Sequence, residues 1–477
     1  MLHYNKEDVK LIFNTVSSLL SASAYVFLFP IIFVLLYNEP TIFLYLYVLL
    51  ALVVRVFAKL LSFKSKVEVE RRHAVVSIIL FWIFFSLFAS IPFIVLEGAS
   101  FIDGFFEAVS AITSTGVSMF LGKSLMHSTL FWRSFLNWFS GIGIVVLAIM
   151  GLFMIYSKFK LFAESEGHSE KIGSSVKKTI SIFVGIYGVF TIIGIILLRI
   201  SGLPLFDSIY YTFTSISLTG TSMNSVGLLG YNSIWALIVV LFLLLAGGTS
   251  FITHYRVYSK RSLWEYFKDK NILFYIFITT FFFIFVMLKF SKLLPLHTLF
   301  YVISAETGGA TLFTNAVHKT FPELVKGIMI FLMFVGGSTV STAGGIKIQR
   351  LGIILKSIWW KVKAMLLPKN AVFRRRFNGQ NITDRVTLEV MGYVLMYVLF
   401  VLFSTFVLMA LGYHAINALF EVTSIQGGIG ISTGIVSTSM PLIAKIILII
   451  NMFVGRLEIM PVLVLFGFLF NIRLRKH

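Results

Sequence analysis

Ten apolar stretches, most of them at least as long as the roughly 20 residues that carry a helix across about 30 Å of hydrocarbon, occupy most of this 477-residue chain. They lie near residues 12–37, 41–62, 75–96, 129–155, 178–200, 232–255, 271–292, 322–356, 387–411 and 440–470. In lipid every backbone N–H and C=O must find its partner within the protein, and a helix satisfies that condition locally. The expected fold class is therefore an all-α polytopic membrane protein. The 51 Phe are spread along the whole length, so no soluble domain can be cut away. A formal charge of +20 in a soluble protein would suggest a nucleic-acid partner. Here three quarters of the 40 Lys and Arg fall in alternate gaps between the apolar stretches, at 1–10, 59–74, 156–178, 255–270, 346–386 and 471–477. That bias orients the chain with both termini cytoplasmic, and no nucleic acid is expected. The chain has no Cys, which excludes disulfides and thiol chemistry. The first stretch, from about Leu11, is followed by polar residues rather than a small-residue cleavage site, so it reads as the first transmembrane helix.

Four shorter apolar segments, 103–116, 207–220, 297–309 and 417–430, separate alternate pairs of long ones. Segments that short are expected to be re-entrant rather than spanning. They also repeat one another. Asp103, Asp207, Leu296 and Asn417 each stand 13 residues before a glycine, namely Gly116, Gly220, Gly309 and Gly430. In the first, second and fourth segments the leading residue is of a helix-capping type. There an aromatic residue follows at Phe106, Tyr210 and Phe420, and a hydroxyl at Ser110, Thr214 and Ser424; the third has Leu299 and Ile303 instead. The chain thus reads as a two-helix leader, 1–72, and four parallel repeats of helix, pore loop and helix, 73–165, 166–264, 265–366 and 367–477, around a pseudo-fourfold pore.

A short helix ending at glycine in mid-membrane leaves its last carbonyls unpaired and turns the negative end of its dipole toward the pore, where a cation is stabilised. Glycine permits the backbone angles that aim a row of carbonyls at one axis. The loop residues are Ser114, Thr115, Gly116 and Val117; Leu218, Thr219, Gly220 and Thr221; Thr307, Gly308, Gly309 and Ala310; and Gly428, Ile429, Gly430 and Ile431. Four such loops can replace the hydration shell of an alkali cation. Any one of these glycines is explained equally well by helix packing; four at matched offsets are not.

The eighth stretch carries Gly336, Gly337, Ser338, Thr339, Val340, Ser341, Thr342, Ala343, Gly344 and Gly345, a composition that breaks a helix at a depth where unwound backbone must be buried or line a cavity. It is a candidate gate; a close-packed seam of small residues is the competing reading. Arg456, inside the last stretch, is a candidate for a fixed positive charge facing the pore, with an ion pair to Glu458 or another carboxylate as the alternative. Glu107 and Glu421 hold equivalent places two helical turns before their glycines and read as scaffolding behind the loops, whereas Glu306 has no such explanation.

Thr-Ser-Thr-Gly-Val at 113–117, Gly-Gly-Ser-Thr-Val-Ser-Thr-Ala-Gly-Gly-Ile-Lys at 336–347 and Val-Gly-Arg-Leu-Glu at 454–458 resemble the Trk/Ktr/HKT superfamily of potassium transporters, and the two leading helices resemble its TrkH type. The resemblance implies gated potassium (K+) uptake across the inner, cytoplasmic membrane. It implies that Gly116, Gly220, Gly309 and Gly430 are filter glycines, that 336–345 is the gating loop and that Arg456 is the pore arginine. It also implies a homodimer regulated by peripheral cytoplasmic nucleotide-binding subunits of the TrkA kind, for which Arg374, Arg375 and Arg376 form a plausible docking surface. No organic cofactor and no catalytic residue are expected. The third loop, Glu-Thr-Gly-Gly-Ala, and the fourth, Gln-Gly-Gly-Ile-Gly, depart from the pattern and leave a sodium-conducting pore as the alternative; a membrane enzyme is the reading from another class.

Overall fold

The computed structural model describes residues 4–65, 67, 70–120, 123–143, 176–224, 226–290, 294–309, 321–368, 374–378, 380–457 and 459–473. Ala310 and Glu458 lie outside them. The chain opens on a capping box: the Asn5 side chain accepts from the Asp8 N–H and the Asp8 carboxylate accepts from the Asn5 N–H, each at 2.8 Å. Helix α1 (Lys6–Ser23) starts there, passes through a 3₁₀ turn (Ala24–Leu28) and continues after Pro30 as α2 (Ile31–Leu36). Helix α3 (Thr41–Leu60) follows, packed on α1.

Four times the chain then makes a long helix, a short helix, a connecting segment and a second helix. The first set is α4 (Arg71–Ala89) with its extension α5 (Ile91–Glu97), the short α6 (Phe101–Ile112), and α7 over residues 127–143. The second is α8 (Val176–Ile200), the short α9 (Leu205–Ile216), α10 (Ile234–Gly248), α11 (Phe251–Lys260) and α12 (Trp264–Lys268). The third is α13 (Lys270–Lys289), the short α14 (Pro295–Thr307), α15 (Glu323–Val335) and α16 (Ile348–Leu366). A small hairpin, β1 (Arg376–Phe377) against β2 (Gln380–Asn381), leads to the fourth: α17 (Asp384–Ala410), the short α18 (Ala415–Gln426), α19 (Leu442–Leu457) and α20 (Ile459–Arg473).

Contacts between neighbouring sets arrange the short helices in a ring. Helix α14 touches α10 of the set before it, α18 touches α15, and α6 touches α19, so the last set closes onto the first. The side chains of all four are buried over most of their length, while α3 and α13 turn Ile42, Tyr45, Leu49, Phe277 and Phe281 outward, as expected of helices that face lipid.

Two expectations need correction. Three of the second helices are not straight spans. Helices α10 and α11 meet at 99°, α19 and α20 at 115°, and α15 and α16 are separated by the irregular segment 336–347. Each break falls where the chain passes the C-terminal end of a short helix: a Cβ on Gly247 would sit 2.7 Å from the Ile216 carbonyl, and one on Gly344 or Gly455 would collide with the carbonyl of Gly427 or Gln426. Among the described residues six helices are long and apolar enough to span unbroken, or eight spans if each of the two bent pairs counts as one. Nor do Asp103, Asp207 and Asn417 cap their helices. The N-caps are Ser100, Pro204 and His414, three residues earlier, and the predicted residues sit in the first turn, where Asp103 and Asp207 still complement the dipole.

Candidate ion-conducting site

Each short helix ends in the same way. A residue just past its last turn, the second in three cases and the first in α14, takes a left-handed conformation: Ser114 at φ 52°, Leu218 at 60°, Gly308 at 112° and Gly428 at 65°. That geometry reverses the chain and points the following backbone across the end of the helix. In three loops the next N–H folds back onto the helix, Thr115 to the Ser110 carbonyl, Thr219 to Thr214 and Ile429 to Ser424, at 2.8–2.9 Å. Two of the four left-handed residues carry side chains, which costs on the order of 1 kcal/mol each. Their loops are held by hydroxyls: Thr113 Oγ1 lies 2.8 Å from Thr115 Oγ1, Ser217 Oγ lies 2.9 Å from Thr219 Oγ1, and Ser110 donates to the Val117 carbonyl at 2.6 Å.

These loops converge. A Cβ on Gly220 would lie 2.5 Å from the Ile429 carbonyl oxygen and 2.9 Å from Gly430 Cα; one on Gly116 would lie 2.9 Å from the Thr221 nitrogen; one on Gly308 would lie 2.9 Å from the Gly428 oxygen and 3.1 Å from the Leu218 oxygen. Backbone from all four sets meets at one place with no room for side chains, and Gly116 and Gly430 add positive φ of 81° and 83°. Val117, Thr219, Thr221, Ile429 and Ile431 are buried around this meeting point.

The third loop sits one residue later than the sequence alignment places it. Counting from the left-handed residue, Gly308 matches Ser114, so Phe300 matches Phe106, Tyr210 and Phe420, and Ser304 matches Ser110, Thr214 and Ser424. The aromatic and the hydroxyl missing from Leu299 and Ile303 are thus present one step on, and Ser304 donates to the Gly309 carbonyl. Thr307 Oγ1 caps the Ile303 carbonyl at 2.7 Å as Thr113 caps Val109. Gly309 then corresponds to Thr115, and Ala310 takes the chain position of Gly116.

Behind the loops, Glu107 accepts from Ser118 Oγ and the Met119 N–H, each at 2.9 Å, and Glu421 accepts from the Thr433 N–H at 2.8 Å and from Thr433 Oγ1 at 2.9 Å. Both carboxylates therefore brace the descending strand, as scaffolding would. A further set of cations escapes a reading of the sequence alone. Arg133, Lys326 and Lys445 are buried, each ten residues before a glycine of its second helix (Gly143, Gly336, Gly455), and each binds the short helix of the next set. Arg133 donates to the Tyr210 hydroxyl at 2.7 Å, Lys326 to Asn417 Oδ1 at 2.9 Å, and Lys445 to Asp103 Oδ1 at 2.6 Å. The recurring ten-residue offset was the available signal. Lys326 thus ties the third repeat to the fourth.

The segment 336–345 lies against the C-terminal ends of the short helices. Thr342 Oγ1 donates to the Ile216 carbonyl at 3.0 Å, and its N–H to Gly247; Ser338 N–H reaches Gly248, and Phe251 N–H reaches Val340. Gly336, Val340, Gly345 and Lys347 hold positive φ. Ser341 Oγ donates within the segment to the Ser338 carbonyl and Thr339 Oγ1 donates to Gln349 Oε1 at the start of α16, while Gly337 and Gly344 allow the close approach of Ala343 and Gly427. Arg456 spans three elements here. Its Nη1 donates to the Thr342 carbonyl at 2.9 Å, and its Nη2 reaches Ser114 Oγ at 3.2 Å and the Ser140 carbonyl at 3.1 Å. Among the described residues no carboxylate is within ion-pair distance of it. On the other side of the break, His254 Nε2 bonds the Ala246 carbonyl at 2.9 Å and its Nδ1 bonds the Tyr266 hydroxyl at 2.8 Å, linking α10 to α12 across the bend.

The chain is similar along nearly its whole length to transport proteins. It is 32% identical over 473 residues to an uncharacterised cation transporter of Methanocaldococcus jannaschii, covering 98% of each. It is 30% identical over 422 residues to the Trk system potassium uptake protein TrkH of Escherichia coli, covering 84% of this chain and 86% of that one. Its structure superposes on the crystal structure of the potassium transporter TrkH from Vibrio parahaemolyticus with a TM-score of 0.83 at 25% identity, covering 96% and 98% of the two chains. These relatives are transporters, which sets aside the membrane-enzyme alternative. The TrkH model, a cation transport protein family, matches residues 46–471, and the chain belongs to that family: it is an all-α membrane protein of cation transport.

Proposed function

We propose that this chain is the ion-translocating subunit of a Trk-type potassium uptake system of the cytoplasmic membrane, with a two-helix leader and four pore repeats divided at residues 72, 165, 264 and 366. The observation that carries the reading is the ring of left-handed residues Ser114, Leu218, Gly308 and Gly428 at the ends of four converging short helices. The carbonyls around that ring, with those of the loop residues that follow, form a stack of cation sites, and the negative ends of four dipoles favour K+ there. The segment 336–345 is the gate and Arg456 its anchor. Both termini are cytoplasmic, the protein works as a homodimer, and peripheral nucleotide-binding subunits dock on its basic cytoplasmic segments. The E. coli relative's designation as a potassium uptake protein supports the substrate. A sodium-conducting pore is the second reading, favoured by the alanine that the third loop puts in the place of a glycine. The test is anomalous diffraction from crystals soaked in rubidium. Density between the Ser114, Leu218, Gly308 and Gly428 carbonyls supports the reading; rubidium found only elsewhere contradicts it.

A further inference from the structure

The segment after the bend between α10 and α11 carries a surface that the ion path does not use. Tyr258, Leu263, Trp264 and Phe267 are each more than half exposed, and the Trp264 and Phe267 rings meet at 5.4 Å. Lys260, Arg261, Lys268 and Lys270 are exposed among them. Both carboxylates of the segment are occupied inside it. Glu265 is buried and accepts from Lys260 at 3.3 Å and from Lys268 at 2.7 Å. Asp269 accepts from the Asn271 N–H at 2.9 Å and from Thr253 Oγ1 at 2.5 Å. Among the described residues, Arg261 and Lys270 have no carboxylate at ion-pair distance. The outward face therefore presents rings and cations with no acid to balance them.

Its place in the fold identifies what covers it. Helix α11 leaves α10 at 99°, so with α10 crossing the bilayer α11 runs along the membrane plane. The 15 residues of α10 rise about 22 Å. That falls short of about 30 Å of hydrocarbon by the roughly 5–10 Å depth at which an interfacial helix lies. The apolar side chains of the segment continue into the exposed faces of its neighbours, Phe242 and Leu245 near the end of α10 and Leu273, Ile276 and Phe277 near the start of the spanning helix α13. A water-soluble partner does not cover a surface that runs on into lipid-facing spans. Aromatic rings beside Lys and Arg are also the side chains that a helix at the membrane interface carries.

We propose that α11, α12 and the turn joining them bind anionic phospholipid of the leaflet at this end of α10. Tyr258, Leu263, Trp264 and Phe267 lie among the upper parts of the acyl chains, and Arg261 and Lys270 take the phosphate, with the ammonium groups of Lys260 and Lys268 beside it. A zwitterionic headgroup brings a cation of its own into this cluster, so a headgroup with net negative charge is favoured. The inference does not depend on which cation the protein passes.

Quenching of Trp264 fluorescence by brominated lipids, in the whole purified protein in bilayer nanodiscs, tests the site. The Trp264 signal is the emission of the wild type minus that of Trp264→Phe. Phosphatidylcholine with brominated acyl chains is expected to quench it and aqueous iodide to leave it nearly unchanged; the reverse result shows a face open to water, as a soluble protein partner would need, and overturns the proposal. Brominated phosphatidylglycerol, diluted to the same fraction in plain phosphatidylcholine, is expected to occupy the site roughly fivefold or more over brominated phosphatidylcholine, the factor that one Lys or Arg near an anionic surface contributes. Equal quenching by the two lipids overturns the anionic preference. The preference is expected to fall towards one in the variant Arg261→Gln, Lys270→Gln, and to weaken in the wild type as salt is raised to about 1 M. A preference unchanged by both places the lipid elsewhere and contradicts the assignment.

Discussion

Arg456 and Thr342, 114 residues apart in the chain, are joined by a 2.9 Å hydrogen bond from the guanidinium to a loop carbonyl. The same guanidinium holds Ser114 of the first loop and Ser140 of α7, so the unwound segment is pinned to two other repeats through one side chain. A bond with one ionised partner contributes about 1.5–3 kcal/mol. Arg456→Gln is therefore expected to free the segment and raise cation flux roughly tenfold or more, measured as rubidium uptake at fixed protein density. Unchanged flux would mean that the pinned segment is no barrier.

His254 bears on the same segment from the other side. The Ala246 carbonyl it holds is next to Gly247 and Gly248, whose carbonyls receive Thr342 and Ser338. Replacing it by Phe removes about 1 kcal/mol of hydrogen bonding at the bend and is expected to raise flux several-fold. Gln, which can also donate to Ala246 and accept from Tyr266, is expected to restore the wild-type value in the same assay.

Lys445 and Asp103 close the ring of repeats through a buried 2.6 Å ion pair, with Lys445 also donating to the Thr438 carbonyl at 2.8 Å. Removing one partner strands the other charge, at about 3–5 kcal/mol. Lys445→Met is expected to lower the thermal unfolding temperature in detergent well below that of the Lys445→Met, Asp103→Asn double variant. Equal values for the single and the double variant would show that the pair is not coupled.

Gly220 has no space for a methyl group between Ile429 and Gly430. In Gly220→Ala the second and fourth loops must part. Discrimination between rubidium and sodium is expected to shrink about tenfold, corresponding to about 1.4 kcal/mol, and competition of sodium against rubidium uptake reads it.

The repeat of short helices was legible from the sequence because it rests on local chemistry: a polar first-turn residue, an aromatic and a hydroxyl at fixed offsets from glycine, in three copies. The third copy was read one residue off because Gly308 and Gly309 stand side by side, and only the backbone tells which of them makes the left-handed turn. The bends after Gly248 and Leu457 were hidden for a different reason. Hydropathy sums over a window and cannot register that a helix must give way to the carbonyl of another element, as at Gly247 and Gly455. The tie made by Lys326 was not legible because its partner, Asn417, is 91 residues away. Arg456 stood out as a charge in an apolar run, but its partners are carbonyls and hydroxyls from two other repeats, which no spacing rule encodes.

On the proposed ion path the four converging loops pass potassium in preference to sodium. The direct measurement is uptake of radioactive rubidium and sodium into proteoliposomes holding the purified protein, beside Gly116→Ser. Rubidium uptake at least roughly tenfold above sodium is expected, with the preference lost in the variant. Sodium uptake equal to or above that of rubidium in the unmodified protein, or a preference untouched by Gly116→Ser, would contradict it.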